Sequence, residues 1–227
     1  MWKIDEAIRD FPIHKKQHGF QSNKGTESAL SNTVNYIERY IFKKESVLGV
    51  FLDISSAFDT IDPTHVKTQL LKHGGDVDMV EWYFNYLLHR DIEIELHNET
   101  VTYSTGMGFP QGGVCSAKLW LVAFDPAIEI INKYGIEGNG FADDCSALIG
   151  GSNMDKAINK MQLMLDELTE MGDSCSLKFN PTKTVALIFS RKQVTSLNNL
   201  SINGDKIAYS ENAVSYTHLT LPTNREV

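Results

Sequence analysis

Three carboxylates carry the residue types from which a reactive centre could be built. Asp53 closes a nearly continuous apolar run, Val47-Leu48-Gly49-Val50-Phe51-Leu52, and Asp143 and Asp144 stand side by side far downstream in Phe141-Ala142-Asp143-Asp144. Taken singly, each has a local explanation, because aspartate caps helices and favours turns. Taken together they carry more, since both segments lie beside core-type strands flanked by Phe51, Leu52, Phe141 and Leu148. Carboxylates about 4 Å apart repel by roughly 4 kcal/mol at an effective dielectric near 20, so a fold that gathers them needs a cation or a raised pKa. Oxygen-rich clusters suit Mg²⁺, which binds through one or two carboxylates and the phosphates of a substrate. Two such ions about 4 Å apart can activate an attacking hydroxyl and stabilise a leaving pyrophosphate.

The elements that must position these groups follow from periodicity. Leu30, Val34, Ile37 and Ile41 recur at helical spacing and predict a helix over residues 26–41. The apolar run over residues 47–54 predicts a strand buried on both faces. Pro63 suits a first helical turn and Gly74-Gly75 ends that helix near Lys72; a second helix is expected over 77–88. Alternating Ile and Glu over 91–96, answered by 101–103, predicts a hairpin with one wet face. A glycine-rich loop over 106–113 leads to a helix over about 114–131, and residues 140–149 read as two short strands around the Asp pair. Ser152 with Asp155 resembles a capping box. The helix it opens buries Met154, Ile158, Met161, Leu165 and Leu168 and is expected to end at Gly172, with another strand over 185–189. The order predicts an α+β layout, with helices on one side of a mostly antiparallel sheet.

Composition narrows the classes. With 42% hydrophobic and 22% charged residues the chain is globular in type. Its longest apolar runs, such as residues 119–124, fall far short of the roughly 20 needed to span a bilayer, and the charged N-terminus has no secretory core. An intracellular chain without a membrane partner is expected. A net charge of -8 argues against a plain nucleic-acid coat but not against an enzyme that meets phosphate through bound cations. Three cysteines, thirty residues apart and each followed by Ser, support neither a disulfide framework nor a zinc site. Their unlike flanks make the spacing a coincidence, with Cys175 expected in a polar loop. His14 and His18 have ligand-like spacing but no third partner, and read as surface residues.

The wording around the aspartates is more specific than the aspartates themselves. Phe51-Leu52-Asp53-Ile54-Ser55-Ser56-Ala57-Phe58-Asp59-Thr60-Ile61, then Gly108-Phe109-Pro110-Gln111-Gly112-Gly113-Val114-Cys115-Ser116, then Phe141-Ala142-Asp143-Asp144 resemble the three central palm motifs of reverse transcriptases. The first is similar to the non-LTR retrotransposon lineage of jockey and LINE type. His18-Gly19-Phe20-Gln21-Ser22-Asn23-Lys24-Gly25-Thr26-Glu27-Ser28-Ala29 resembles the fingers segment of those elements, and Leu177-Lys178-Phe179-Asn180-Pro181-Thr182-Lys183-Thr184 resembles the fourth motif.

The resemblance implies an RNA-directed DNA polymerase palm, a ferredoxin-like antiparallel sheet with helices on one face, and partial fingers. It implies a fingers segment over 1–46 and a palm over 47–210. Asp53 and Asp143 would bind two Mg²⁺ ions, for which Mn²⁺ can substitute, and Asp144 would support the site. The backbone of Ile54, Ser55, Ser56 and Ala57 would lie along the triphosphate, and the Phe58 ring would exclude a ribose 2′-hydroxyl. Gln111 and Gly112 would meet the incoming deoxynucleoside triphosphate and template base, and Lys183 would be the acid for departing pyrophosphate. An RNA template and a DNA primer are the implied partners, in a nuclear or cytoplasmic setting.

Departures from the family wording matter too. Gln21 stands where these elements carry Arg, and Lys15, Lys16 and Lys24 do not replace the basic fingers residues that hold the triphosphate. The segment 212–216 begins like the strand leading to a primer-gripping hairpin, whereas 217–227 departs, so 211–227 reads as a tail foreign to the domain. With no thumb, endonuclease or ribonuclease H region matched, the expectation is a fragment without independent activity. Alternatives are a catalytically inactive relic or RNA-binding module, and a two-metal nuclease.

Overall fold

A computed structural model of the chain describes residues 12–97, 99–191 and 199–209. The elements are α1 (Thr26–Phe42), β1 (Ser46–Leu52), β2 (Ile54–Ser55), α2 (Ala57–Thr60), α3 (Pro63–Lys72), α4 (Val77–Leu88), β3 (Arg90–Leu96) and β4 (Glu99–Thr105). They continue with α5 (Ser116–Lys133), β5 (Glu137–Phe141), β6 (Asp144–Gly151), α6 (Met154–Cys175), β7 (Lys178–Phe179), β8 (Val185–Phe189), β9 (Ser201–Ile202), β10 (Asp205–Lys206) and β11 (Ala208–Tyr209). The expected primer-grip strand over 212–216 and the tail over 211–227 lie outside the described residues.

The apolar run of β1 becomes the middle strand of a five-stranded sheet ordered β11-β8-β1-β6-β5. All pairings are antiparallel except β11 with β8. Successive side chains of a strand point to opposite faces, and both faces of β1 are covered. Leu48, Val50 and Leu52 join Ala147 and Ile149 in the main core with α5 and α6, whereas Val47 and Phe51 meet Ile37, Tyr36 and Tyr40 of α1. The class is α+β, and α1, from the segment expected to be fingers, supplies cover on the second face. Its approach is close enough that a Cβ on Gly150 would lie 2.4 Å from the Tyr40 ring.

Several boundaries differ from expectation for local reasons. The strand over 47–54 is broken at Asp53, because Ile54–Ser55 turns away to pair with Lys178–Phe179. α5 starts at Ser116 rather than 114. α6 is capped by Asn153, whose side chain accepts the Lys156 N–H, not by Ser152 with Asp155. Gly172 does not end α6. It lies inside the helix, where a Cβ would stand 2.5 Å from the Leu177 carbonyl oxygen, so its bareness lets the following chain fold back. The helix stops at Ser176 in the left-handed region, which puts Cys175 in a buried last turn rather than a polar loop.

The β3–β4 hairpin is in register as the alternation implied, with Ile92 opposite Tyr103 and Ile94 opposite Val101. Its expected dry face is not dry. Ile92, Ile94, Leu96, Val101 and Tyr103 are 47 to 65% exposed, because no described element packs on them. No described helix is long and apolar enough to cross a membrane.

Candidate active site

Asp53 follows the last residue of β1 and is pinned on both sides by its backbone. Its N–H donates to Thr184 Oγ1 at 3.3 Å, and its carbonyl accepts the Asn180 N–H at 2.8 Å. In the β1–β6 ladder Leu52 pairs with Cys145, so one step further the antiparallel register brings Asp53 towards Asp144. Asp143 occupies the two-residue turn that joins β5 to β6, between the paired Phe141 and Asp144. Ala142 precedes it with φ +58°, a left-handed backbone that a residue with a Cβ adopts at a cost.

The electrostatics bear the mark of this convergence. The Asp144 carboxyl lies above the ordinary carboxylate range, through burial first and then the charges of Asp143 and Asp53. Asp53 Oδ2 is shut off from solvent without a hydrogen-bond partner, and Lys183 Nζ stands 3.9 Å away, too far to donate. A buried carboxylate oxygen without a donor is costly, and a cation is the partner that such an oxygen fits. Among the described residues no three His, Cys, Asp or Glu side chains are already drawn together as a metal cage.

A group held in the protonated direction by burial, and then by neighbouring charges, implies a sign for stability. The folded chain favours neutral Asp144 more than the unfolded chain does, so its charge opposes folding above the raised pKa and ceases to do so below the unfolded value near 3.8. Asp144→Asn should therefore raise the melting temperature in chelator at pH 7, by about 1–2 °C because solvent screens a half-exposed cluster. The gain should shrink as pH falls towards 4. Differential scanning fluorimetry across that range checks it, and a loss of stability at pH 7 would contradict it.

Lys183 is aimed at Asp53 by an Asx turn: Asn180 Oδ1 accepts the N–H groups of Thr182 and Lys183, at 3.0 and 3.3 Å. The Asn-Pro dipeptide is a turn signal in the sequence, although the bond from Thr184 to Asp53 is not. A cleft of about 400 Å³ opens here, lined by Asp53, Asp144, Lys183 and Phe141 together with Leu30 and Val34 of α1.

The remaining expected residues fall on β2, on α2 with its N-cap Ser56, and on the glycine-rich loop. Ile54 and Ala57 are buried, Ser55 is half-buried, and Ser56 is exposed with φ +49°. The half-buried Phe58 ring stacks on Trp120 at 5.1 Å and meets Phe109 edge-on at 6.3 Å. Backbone bonds from Gly108 to Ile61 and from Phe109 to Phe58 anchor the glycine-rich loop, and Gln111 Nε2 donates to Asp59 Oδ1 at 3.0 Å. Gln111 thus lines a second cleft, of about 620 Å³, with Asp59, Tyr86, Arg90 and Phe109. Gly112 has φ +78° and open space around it. The structure brings Asp53, Asp144 and Lys183 to one cleft, leaves Asp143 beside Asp144 in the turn as a neighbouring charge, and attaches Gln111 to α2.

His18 is buried rather than a surface residue, and His14 is half-buried. The His14 N–H donates to the buried Asp125, and His18 is 4% exposed with its ring bonded to Ser28 and Asn32. Burial and the nearby Lys24 and Lys16 hold the His18 imidazole below its usual pKa. Gln17, fully buried against Ala142, also escaped the sequence reading.

This fold and motif order define a known class, and residues 3–218 match the reverse transcriptase (RNA-dependent DNA polymerase) family. The chain belongs to that family. It is 25% identical over 225 residues to the RNA-directed DNA polymerase from mobile element jockey of Drosophila melanogaster, covering 92% of this chain and 23% of that protein. A putative 115 kDa protein in the type-1 retrotransposable element R1DM of the same organism is 24% identical over 176 residues, covering 76% of this chain and 16% of that protein. The chain therefore spans less than a quarter of either relative. In fold it is similar to telomerase from Candida tropicalis in complex with a fragment of telomeric RNA, with TM-score 0.63 and 12% identity over 99% of this chain and 38% of that one. Apo telomerase from the same species, truncated from its C-terminal domain, gives TM-score 0.61 and 14% identity over 91% and 42%.

Proposed function

We propose that the chain is the palm, over 47–210, with part of the fingers, over 1–46, of a mobile-element RNA-directed DNA polymerase that adds deoxynucleotides to a DNA primer on an RNA template. The observation that carries this reading is the donorless Asp53 Oδ2 beside the Asp143–Asp144 turn, a negative pocket at the end of the central strand. Asp53 and Asp143 would hold the two Mg²⁺ ions, with Asp144 as support; when bound, the ions supply the charge that activates the primer hydroxyl and stabilises the leaving group.

The chain's own groups do the rest. Lys183, held near Asp53, offers a proton to pyrophosphate, and the turn over 54–57 offers backbone to the phosphates. The Phe58 ring, stacked on Trp120, would be the flat wall that refuses a 2′-hydroxyl. Phosphoryl transfer asks mainly for such positioning and charge. The test uses a mobile-element polypeptide containing this chain with RNA template, DNA primer, deoxynucleotides and Mg²⁺. Primer extension is expected. RNA cleavage without nucleotides and without extension would overturn the reading in favour of a nuclease.

A further inference from the structure

We infer that Gln17 is a positioning residue for the aspartate turn: its carboxamide holds Ala142 in the left-handed conformation from which Asp143 projects. Gln17 is 0% exposed, and both ends of its side chain are used. Oε1 accepts the Ala142 N–H at 3.1 Å and the Gly19 N–H at 2.8 Å, while Nε2 donates to the Ala142 carbonyl at 3.2 Å. One side chain thus satisfies both polar groups of Ala142, a residue whose φ of +58° is unfavourable for anything but glycine and persists where surroundings over-determine it.

The approach is built on two glycines. A Cβ on Gly19 would lie 2.2 Å from the Ala142 nitrogen, and one on Gly140 would lie 3.0 Å from Gln17 Nε2. The backbone runs parallel to β5 at this point, with the His18 N–H donating to the Gly140 carbonyl at 2.7 Å and the Gly140 N–H to the Lys16 carbonyl at 2.9 Å. Lys24 Nζ donates to the Gln17 carbonyl, and His14 is tied to Asp125, so the carboxamide cannot drift with a loose loop. The segment resembling fingers therefore reaches the base of the carboxylate cluster through one side chain. Partners behind a metal ligand fix its orientation, and their loss commonly weakens metal binding 10–100-fold. The role rests on the polymerase reading of Asp143.

Gln17→Met keeps the length and removes both hydrogen-bonding ends. In the metal-free chain, Gln17→Met should speed hydrogen exchange at the Ala142 amide at least about tenfold relative to the amides of β1. In Mn²⁺ titrations it should raise the dissociation constant at least about tenfold. Adding Ala142→Gly, which removes the left-handed penalty, should recover a large part of the Mn²⁺ affinity. Uniform acceleration of all amides, or no recovery by Ala142→Gly, would make Gln17 a core residue and overturn the inference. If Gln17→Met does not fold, Gln17→Glu retains the acceptor for Ala142 and Gly19 and loses the donor; unchanged Mn²⁺ affinity in that variant would also overturn it. Wild-type chain without Asp143-dependent Mn²⁺ binding would refute the polymerase reading instead, and the Ala142 exchange rate would still judge Gln17.

Discussion

Asp53→Asn and Asp143→Asn are each expected to lower Mg²⁺-dependent primer extension by at least about a thousandfold in a mobile-element polypeptide carrying this chain. Metal-borne charge stabilisation is worth several kcal/mol, and each 1.36 kcal/mol is tenfold in rate. The substitution preserves shape, so the register of Leu52 with Cys145 and the turn between Phe141 and Asp144 should survive. What changes is charge: an amide at either position removes one of the three carboxylates that would hold the ions, and at Asp53 it does so at an oxygen with no hydrogen-bond donor. Circular dichroism should match wild type and the melting temperature should not fall, since either substitution relieves charge repulsion with Asp144, while extension disappears. Extension that persists in either variant would remove that residue from the proposed metal site.

The second large effect lies behind the site. Trp120 is fully buried between Phe58 and Phe124, with ring centroids 5.1 and 5.3 Å away. Truncating such a residue to Ala costs about 3–5 kcal/mol, a large part of a total stability of about 5–15 kcal/mol. For a domain of this size that is a fall in melting temperature of about 6–20 °C. Trp120→Phe should cost much less, under about 2 kcal/mol, because it keeps most of the stack and deletes an indole N–H that has no protein acceptor. Thermal and urea unfolding of both variants measure this directly, and equal losses would contradict it. The Ala variant also leaves the Phe58 ring without its wall, so if Phe58 has the sugar-selecting role proposed for it, selection against ribonucleotides should fall with stability.

What could be read without coordinates, and what could not, divides by the range of the interaction. The spacing of Leu30, Val34, Ile37 and Ile41 located α1, because burial of one helix stripe leaves a local period. The apolar run before Asp53 marked a strand covered on both faces, and β1 is one. The wording around Asp53, Gln111 and Asp143 pointed to the family through motif order. Three kinds of feature left no such trace. The choice of Asn153 over Ser152 as cap depends on a single side-chain bond. Burial of His18 and Cys175 depends on partners that periodicity does not name. The clamp of Gln17 on Ala142 spans 125 residues of chain, so no window around either residue contains it. The hairpin failed in the opposite sense, since its alternation was legible but the element needed to cover Ile92, Ile94 and Tyr103 is not among the described ones.

That uncovered hairpin has the makings of a separate cooperative unit. A two-stranded ribbon on its own is marginal in water, and this one gains little from burial, so it should melt locally at a free energy well below that of the five-stranded sheet. Its fraying has a natural stop. Arg90 opens the first strand and its guanidinium grips the carbonyls of Met107 and Gly108, so the ribbon can lose its pairing while the glycine-rich loop beyond it keeps its shape.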